Sequence, residues 1–499
     1  MFTAAAILLA ANASAPIDPE VLAQFGPDQL APATFLVVLK DARDTNAVRA
    51  DLVGEARLSR VFDALYAQDQ TLREFARTHN IESVERFWLV NTLLVTGGSE
   101  KLQSIARDPQ VSAIKANTRL HFKTPIIEFG AAQTFSAQAG VVNPSAIRAA
   151  TPGQVLTGAT QLWALGIKGA GVVIAGEDTG YAWQHPALIA KYRGWNGTIA
   201  NHNYSWFDGI ADNSLGTGGS CGINSVQPCD DGSHGTHTMG TMVGDDGAAE
   251  QIGAAPDAKW IGCRNMNRGD GRPSTYLRCM QWMLAPTDLT GANPDISKTP
   301  HVINNSWGCP PSETCTVPDV LQAGVANLRA AGILFVAAAG NSGSGGCGTV
   351  SDPPAIYPET FTVGNIRLDS TMNTGSSRGP VTVDGSNRRK PDVSAPGTSI
   401  RSSIPPSSYA SFSGTSMASP HVAGAAALLM SAFPNLKRDP DAVEALLERT
   451  AKTITLTLTC GGIGTGTWPN NIAGFGRIDV YAAYQAQLAT LEGFQNGFE

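Results

Sequence analysis

Three apolar runs that do not alternate constrain this chain more than any other feature. Val172-Val173-Ile174-Ala175 leads to Glu177-Asp178, Val302-Ile303 ends at Asn304, and Ile333 to Ala338 leads to Gly340-Asn341. A strand that is apolar at every position is buried on both faces, which happens when helices cover both sides of a parallel sheet. Pro318 and Gly332 bracket a helix before the third run. The expectation is an α/β fold with an open, mostly parallel sheet, and ligands bind such sheets beyond the carboxyl ends of the strands. A hydrophobic content of 42% supplies a large core, and 15% charge is too little for a disordered chain.

The polar residues that close these runs include candidates for nucleophilic chemistry. Ser413-Gly414-Thr415-Ser416-Met417-Ala418-Ser419-Pro420-His421 precedes an apolar helix. Proline is tolerated in a helix's first turn, which places Pro420 there and Ser416 at or near the helix N-terminus. Free N–H groups at that end favour negative charge, so an oxyanion formed by attack of Ser416 could be held by its own N–H. Taken alone, such a serine is an N-cap. A serine hydroxyl also needs a base, and His234 in Asp231-Gly232-Ser233-His234-Gly235-Thr236-His237 is the candidate, with His237 read as structural. Asp178 in Glu177-Asp178-Thr179-Gly180 can orient that base. Asn341, in a glycine-rich turn, can donate to an oxyanion.

The order Asp, His, Ser along the chain, with these flanks, resembles the subtilisin-like serine peptidases, or subtilases. Asp-Thr-Gly, His-Gly-Thr-His, Gly-Thr-Ser-Met-Ala-x-Pro and Ala-Gly-Asn carry the resemblance, which covers about residues 160 to 485 and is nearest to bacillopeptidase F-like members. It implies a three-layer subtilisin-like fold and a serine endopeptidase. Asp178 would be the orienter, His234 the base, Ser416 the nucleophile and Asn341 the oxyanion donor. The Val302 to Gly308 segment resembles the strand that pairs with substrate, so Ser306, Trp307 and Gly308 are expected to bind peptide, as is Gly340 in the segment that resembles the family's Ala-Gly-Asn. The family's chemistry requires no cofactor. Many relatives bind structural calcium through an Asp that follows His-Pro, and here that position is Ala187. Asp230-Asp231 and Asp245-Asp246 read as solvated loop carboxylates, with a cation site as the alternative.

The chain divides by composition. Residues 1–15 read as a signal peptide, apolar from Ala4 to Ala11 with Ala13-Ser14-Ala15 as a cleavage site, although they lack Lys or Arg. Residues 16–122 carry a β-α-β-α-β pattern: a strand at Phe35–Leu39, a helix from Val53 to about His79, a β-rich run at Phe87–Val95, a short helix at Leu102–Ala106 and a last strand at Val111–Phe122. This suits a small ferredoxin-like α+β domain and resembles the family's inhibitory prodomain. Residues 123–150 read as a linker where maturation cleavage falls, 151–485 as the catalytic domain and 486–499 as a C-terminal tail.

A net charge of −7 argues against nucleic acid as a partner, and no apolar stretch is long enough to span a bilayer. The expected partners are protein substrates and the chain's own prodomain, the expected state is a monomer, and the expected location is extracellular or periplasmic. All eight cysteines lie between Cys221 and Cys460. Their even number suits disulfides; short separations favour Cys221–Cys229 and Cys309–Cys315, and Cys263–Cys279 with Cys347–Cys460 would use the rest. Three rivals stand beside this reading. They are a sedolisin-like acid peptidase, a lipase or esterase (for which the Gly-x-Ser-x-Gly elbow is missing), and a catalytically silent subtilase-like binding protein.

Overall fold

The structure, a computed structural model, describes residues 14–25, 32–49, 51–82, 84–121, 126–128, 149–216, 219–308 and 319–496. They form two compact units, one of Met1–Asp44 with Asp63–Thr118 and one of Thr45–Phe62 with Arg119–Glu499.

The larger unit is built on a 7-stranded sheet. Its strands run in the order Val393–Pro396, Phe361–Ile366, Leu334–Ala338, Val302–Asn305, Val173–Asp178, Lys259–Arg264 and Trp206–Asp208. Every neighbouring pair is parallel. The apolar runs are the central strands, and residues along them alternate between two helical layers. Ile174, Val302, Leu334 and Val336 join the core formed with helices His234–Val243 and Thr415–Ala432. Cys263, between Gly262 and Arg264 on its strand, instead forms a disulfide with Cys279 of helix Pro273–Leu284. Helix Thr415–Ala432 is buried from Thr415 to Met430, as expected of a helix whose C-terminal turns are apolar on all sides.

Pro420 departs from the sequence expectation. It lies inside helix Thr415–Ala432, beyond the first turn. Proline has no N–H, so the carbonyl four residues earlier, that of Ser416, receives no helical hydrogen bond.

The smaller unit has a 4-stranded sheet in the order Val84–Phe87, Thr92–Gly97, Ala33–Leu39, Val111–Ala116, antiparallel throughout. Helices Gln68–Thr78 and Ser99–Ala106 complete a ferredoxin-like βαββαβ order. The expected Phe87–Val95 strand is in fact two. A 3-10 turn at Trp88–Val90 and Asn91 in the left-handed region reverse the chain there. The expected Val53–His79 helix is likewise two, Gly54–Tyr66 and Gln68–Thr78.

Domain limits also differ from those read in the sequence. Thr45–Phe62 belongs with the larger unit. Arg57 explains why, since its guanidinium donates to the carbonyls of Ala330 at 2.7 Å and Arg329 at 2.8 Å, capping helix Gln322–Ala330. The last expected strand stops at Ala116, and Leu120–His121 pairs instead with Asp270–Gly271. Helix Val480–Asn496 runs across the expected boundary at 485. Cys221–Cys229, Cys263–Cys279 and Cys347–Cys460 are bonded as expected, while Cys309, Cys315 and Pro318 lie outside the described residues. Among the described residues no helix is long and apolar enough to cross a membrane.

Candidate active site

Asp178 is the last residue of its strand and His234 the first of its helix, and two glycines let them meet. A Cβ at Gly235 would lie 2.1 Å from the Gly180 carbonyl oxygen and 3.0 Å from the Asp178 Cβ. Gly180 has φ +108°, and a Cβ there would lie 1.8 Å from the Cys229 carbonyl oxygen. Side chains at either position would force the helix away from the strand. With both absent, His234 Nδ1 sits 2.7 Å from Asp178 Oδ1 and 2.9 Å from Oδ2. Both residues are 1% exposed. Donation from Nδ1 to a carboxylate fixes the tautomer with Nε2 as the basic nitrogen. The Thr179 N–H, at 2.7 Å from Oδ1, also orients the Asp178 carboxylate.

The turn before His234 is strained and braced. Ser233 has φ +63°. Asp230 Oδ1 accepts from the N–H groups of Gly232 and Ser233, both at 2.9 Å, and from Thr179 Oγ1 at 2.8 Å. Its Oδ2 accepts from the Thr236 N–H at 3.0 Å and Oγ1 at 2.5 Å. Burial pushes the Asp230 pKa up, against the pull of these bonds. Asp231 is paired with Arg264 at 3.1 Å. The expectation of solvated loop carboxylates therefore fails at Asp230 and Asp231. Asp245 and Asp246 do act as turn acceptors, taking the N–H groups of Gly247 and Ala248 at 2.9 and 2.7 Å. Ala187 is buried in the short helix Pro186–Ile189. Among the described residues no three His, Cys, Asp or Glu side chains gather as metal ligands would.

Ser416 is the second residue of its helix and is 1% exposed. Its Oγ donates to the Ser306 carbonyl at 3.0 Å, and Ser306 Oγ donates to the Ser416 carbonyl at 3.0 Å. That second bond supplies the donor that Pro420 lacks. Asn304 Nδ2 donates to Ser306 Oγ at 2.9 Å, and Ser419 Oγ donates to Asn304 Oδ1 at 2.5 Å. Asn341 enters from the next strand end. Its Oδ1 accepts from the Thr415 N–H at 2.9 Å and Oγ1 at 3.1 Å, which leaves Nδ2 as the end of the amide able to donate to a ligand. Gly340, at φ +100°, sends its N–H to Thr415 Oγ1 at 3.2 Å.

The candidate peptide-binding residues separate. Ser306 and Gly340 adjoin Ser416 and Asn341 through these bonds. The Trp307 side chain is 1% exposed and stacks on Tyr276 at 4.1 Å between centroids, so only its backbone could face a peptide. His237 is structural, as read. Its Nε2 donates to the carbonyls of Ile400 at 2.9 Å and Ala410 at 3.2 Å, and burial lowers its pKa to about 3. Sequence reasoning missed Asp230, Asn304, Thr415 and Ser419. A polar run such as Asn304-Asn305-Ser306, closing a buried strand, was the available signal.

The chain is also similar to known proteins. Residues 169–476 match the Subtilase family of peptidases. The chain is 34% identical to Bacillopeptidase F of Bacillus subtilis over 82% of its own length, and spans about a quarter (26%) of that relative. It is 29% identical to Subtilisin E of Bacillus subtilis over 70% of this chain and 73% of that protein. It is 34% identical to a Subtilisin of Bacillus pumilus, covering 50% of this chain and 82% of the relative.

Proposed function

This chain belongs to the subtilase family of serine endopeptidases, and from that premise we propose that it hydrolyses peptide bonds through Asp178, His234 and Ser416. The observation that carries this reading is the buried His234 Nδ1 on both oxygens of Asp178. Asp178 keeps the imidazole in the tautomer that presents Nε2, and stabilises the imidazolium that forms when His234 takes a proton. To attack, the Ser416 hydroxyl exchanges the Ser306 carbonyl for His234 Nε2 by rotation about its Cα–Cβ bond. Such contacts commonly tighten only once substrate is bound. Ser416 adds to the scissile carbonyl carbon and His234 takes its proton. The oxyanion is held by Asn341 Nδ2 and the Ser416 N–H at the helix start. His234 returns the proton to the leaving amine. Water then hydrolyses the acyl-enzyme by the same route and frees Ser416. The family's chemistry needs no cofactor.

Residues 16–122 act in this reading as an intramolecular inhibitor removed on maturation, with 1–15 as a signal that exports the precursor to an extracellular or periplasmic location. Support comes from Leu120–His121, which adds an antiparallel strand to Asp270–Gly271 as an extended peptide would. Arg119 and His121 both pair with Asp270, His121 Nδ1 at 2.8 Å.

The test compares the purified precursor with its Ser416→Ala variant on a denaturing gel and on casein. The wild type should shorten by roughly the mass of residues 16–122 and digest casein, while the variant stays whole and inert. Casein cleavage by the variant would show another nucleophile.

A further inference from the structure

Asp270 holds two cationic side chains from one short strand. Leu120–His121 pairs antiparallel with Asp270–Gly271, and His121 lies opposite Asp270. Residues two apart on an extended strand share a side. Arg119 and His121 both reach the same carboxylate in this way. The Arg119 guanidinium pairs with Oδ2, and His121 Nδ1 lies 2.8 Å from Oδ1. Among the described residues the Asp270 carboxylate has no other hydrogen-bond or ion-pair partner. The Asp270 side chain is 10% exposed with these two in place, and theirs are 52% and 65% exposed. The carboxylate is therefore roofed by surface groups that can lift away without opening the core.

This edge is continuous with the catalytic groups. The Asn265 N–H, at the start of the segment that leads to Asp270, donates to the Asp178 carbonyl at 3.0 Å. A Cβ at Gly271 would lie 2.3 Å from the Tyr276 hydroxyl, and Tyr276 stacks on Trp307, the neighbour of Ser306. Farther along the chain, Ile126–Glu128 pairs antiparallel with Ser411–Ser413, with Ile126 opposite Ser413, three residues before Ser416. The chain thus meets the Asp270 edge first and the Ser413 edge second. A peptide bound in the same direction presents to Asp270 the residues that precede its scissile bond, and to Ser413 those that follow it.

We propose that Asp270 is a specificity-determining residue, which selects substrates carrying arginine or lysine among the residues that precede the scissile bond. This rests on Ser416 as the nucleophile and on residues 119–121 leaving the edge at maturation, and it adds the substrate class. Their departure removes both partners of the carboxylate and returns it to water at a strand edge. A guanidinium or ammonium group restores the ion pair. An apolar side chain covers the carboxylate and returns no bond, and a glutamate repels it.

The test uses the mature enzyme and internally quenched peptides built on one cleavable sequence. Arg, Ala or Glu is placed in turn at each of the residues from the second to the sixth before the scissile bond. At the position that faces Asp270, Arg should exceed Ala in kcat/KM by about tenfold, with Glu below Ala. The Arg advantage should shrink in about 1 M NaCl. Asp270→Asn should bring the Arg-to-Ala ratio close to one, and Asp270→Lys should turn the preference toward Glu. The wild-type profile decides the question even if a variant fails to fold. Equal rates for Arg, Ala and Glu at every position overturn the proposal, as does an Arg preference that Asp270→Asn leaves intact. N-terminal sequencing of the active enzyme checks the maturation premise, and an active chain that still begins before Arg119 overturns the proposal on that ground. Failure of the nucleophile reading looks different, because hydrolysis would then persist in Ser416→Ala or be absent on every peptide.

Discussion

Ser306 and Ser416 exchange hydrogen bonds, each hydroxyl donating to the other's carbonyl at 3.0 Å. Pro420 makes the exchange necessary, because the Ser416 carbonyl has no helical donor above it. Ser306→Ala should therefore leave a buried acceptor unsatisfied and cost about 1–3 kcal/mol of stability. In a Pro420→Ala background, where an N–H is restored, the same substitution should cost less. Urea titration of the four proteins, each also carrying Ser416→Ala to prevent self-digestion, measures the coupling. Equal costs in both backgrounds would refute the account of Pro420.

Asp178→Asn replaces the acceptor of His234 Nδ1–H with a neutral amide that can impose the wrong tautomer. Turnover should fall on the order of 10⁴-fold, with KM little changed. Asn341→Ala should cost roughly 10²–10³-fold in kcat and again leave KM nearly constant, because the oxyanion exists only after attack. Steady-state kinetics on a peptide p-nitroanilide reads both. A rise in KM with constant kcat would place Asn341 in ground-state binding instead.

Stability should fall on both sides of a maximum near neutrality, for opposite reasons. Burial lowers the pKa of His237 and His301 to about 3 and of His421 to about 4, from an ordinary 6.5. Their folded pKa is depressed, so the unfolded chain binds more protons. The stability they provide is present above about pH 6.5 and is lost as pH falls below it. Glu177 is shifted the other way. It is wholly buried, among the described residues neither carboxyl oxygen has a hydrogen-bond partner, and burial raises its pKa well above 4.5. Its contribution is present at acid pH and is lost as pH rises through the raised folded value. Glu177→Gln should flatten the alkaline limb and leave the acid limb in place, as read by thermal melts of Ser416→Ala protein from about pH 4 to 9. A parallel loss on both limbs would show that Glu177 serves packing alone.

The disulfides should differ in weight. Cys347–Cys460 closes 113 residues and Cys221–Cys229 closes 8. Loop-closure entropy assigns about 4–5 kcal/mol to the first and about 2.5 kcal/mol to the second. Paired Cys→Ser replacements, followed by urea unfolding, should reproduce that order.

Much of the site could be read from the sequence, because its residues close apolar strands or open helices and glycines mark where backbones approach. Gly235 is such a case, since its missing side chain is what brings His234 onto Asp178. What stayed hidden depends on partners distant in sequence. Asp230 reads as a loop carboxylate until Thr179 and Thr236 are seen to enclose it. Pro420 reads as a first-turn proline because nothing local reveals that Ser306, 110 residues before Ser416, replaces the lost donor. In the smaller unit, Asn91 divides a run that is β-rich throughout, because one left-handed residue can reverse a chain without altering its hydrophobic pattern.

The pairing of Leu120–His121 with Asp270–Gly271 has a consequence for how activity depends on quantity. While the chain is whole, covalent attachment fixes that segment's local concentration. One cut beyond it replaces that fixed value with the bulk concentration of a free fragment. On the proposed inhibitor role of residues 16–122, restraint would then become a matter of dilution. Enzyme matured where its fragment accumulates would stay occupied, and the same enzyme released into a large volume would become active with no second cut.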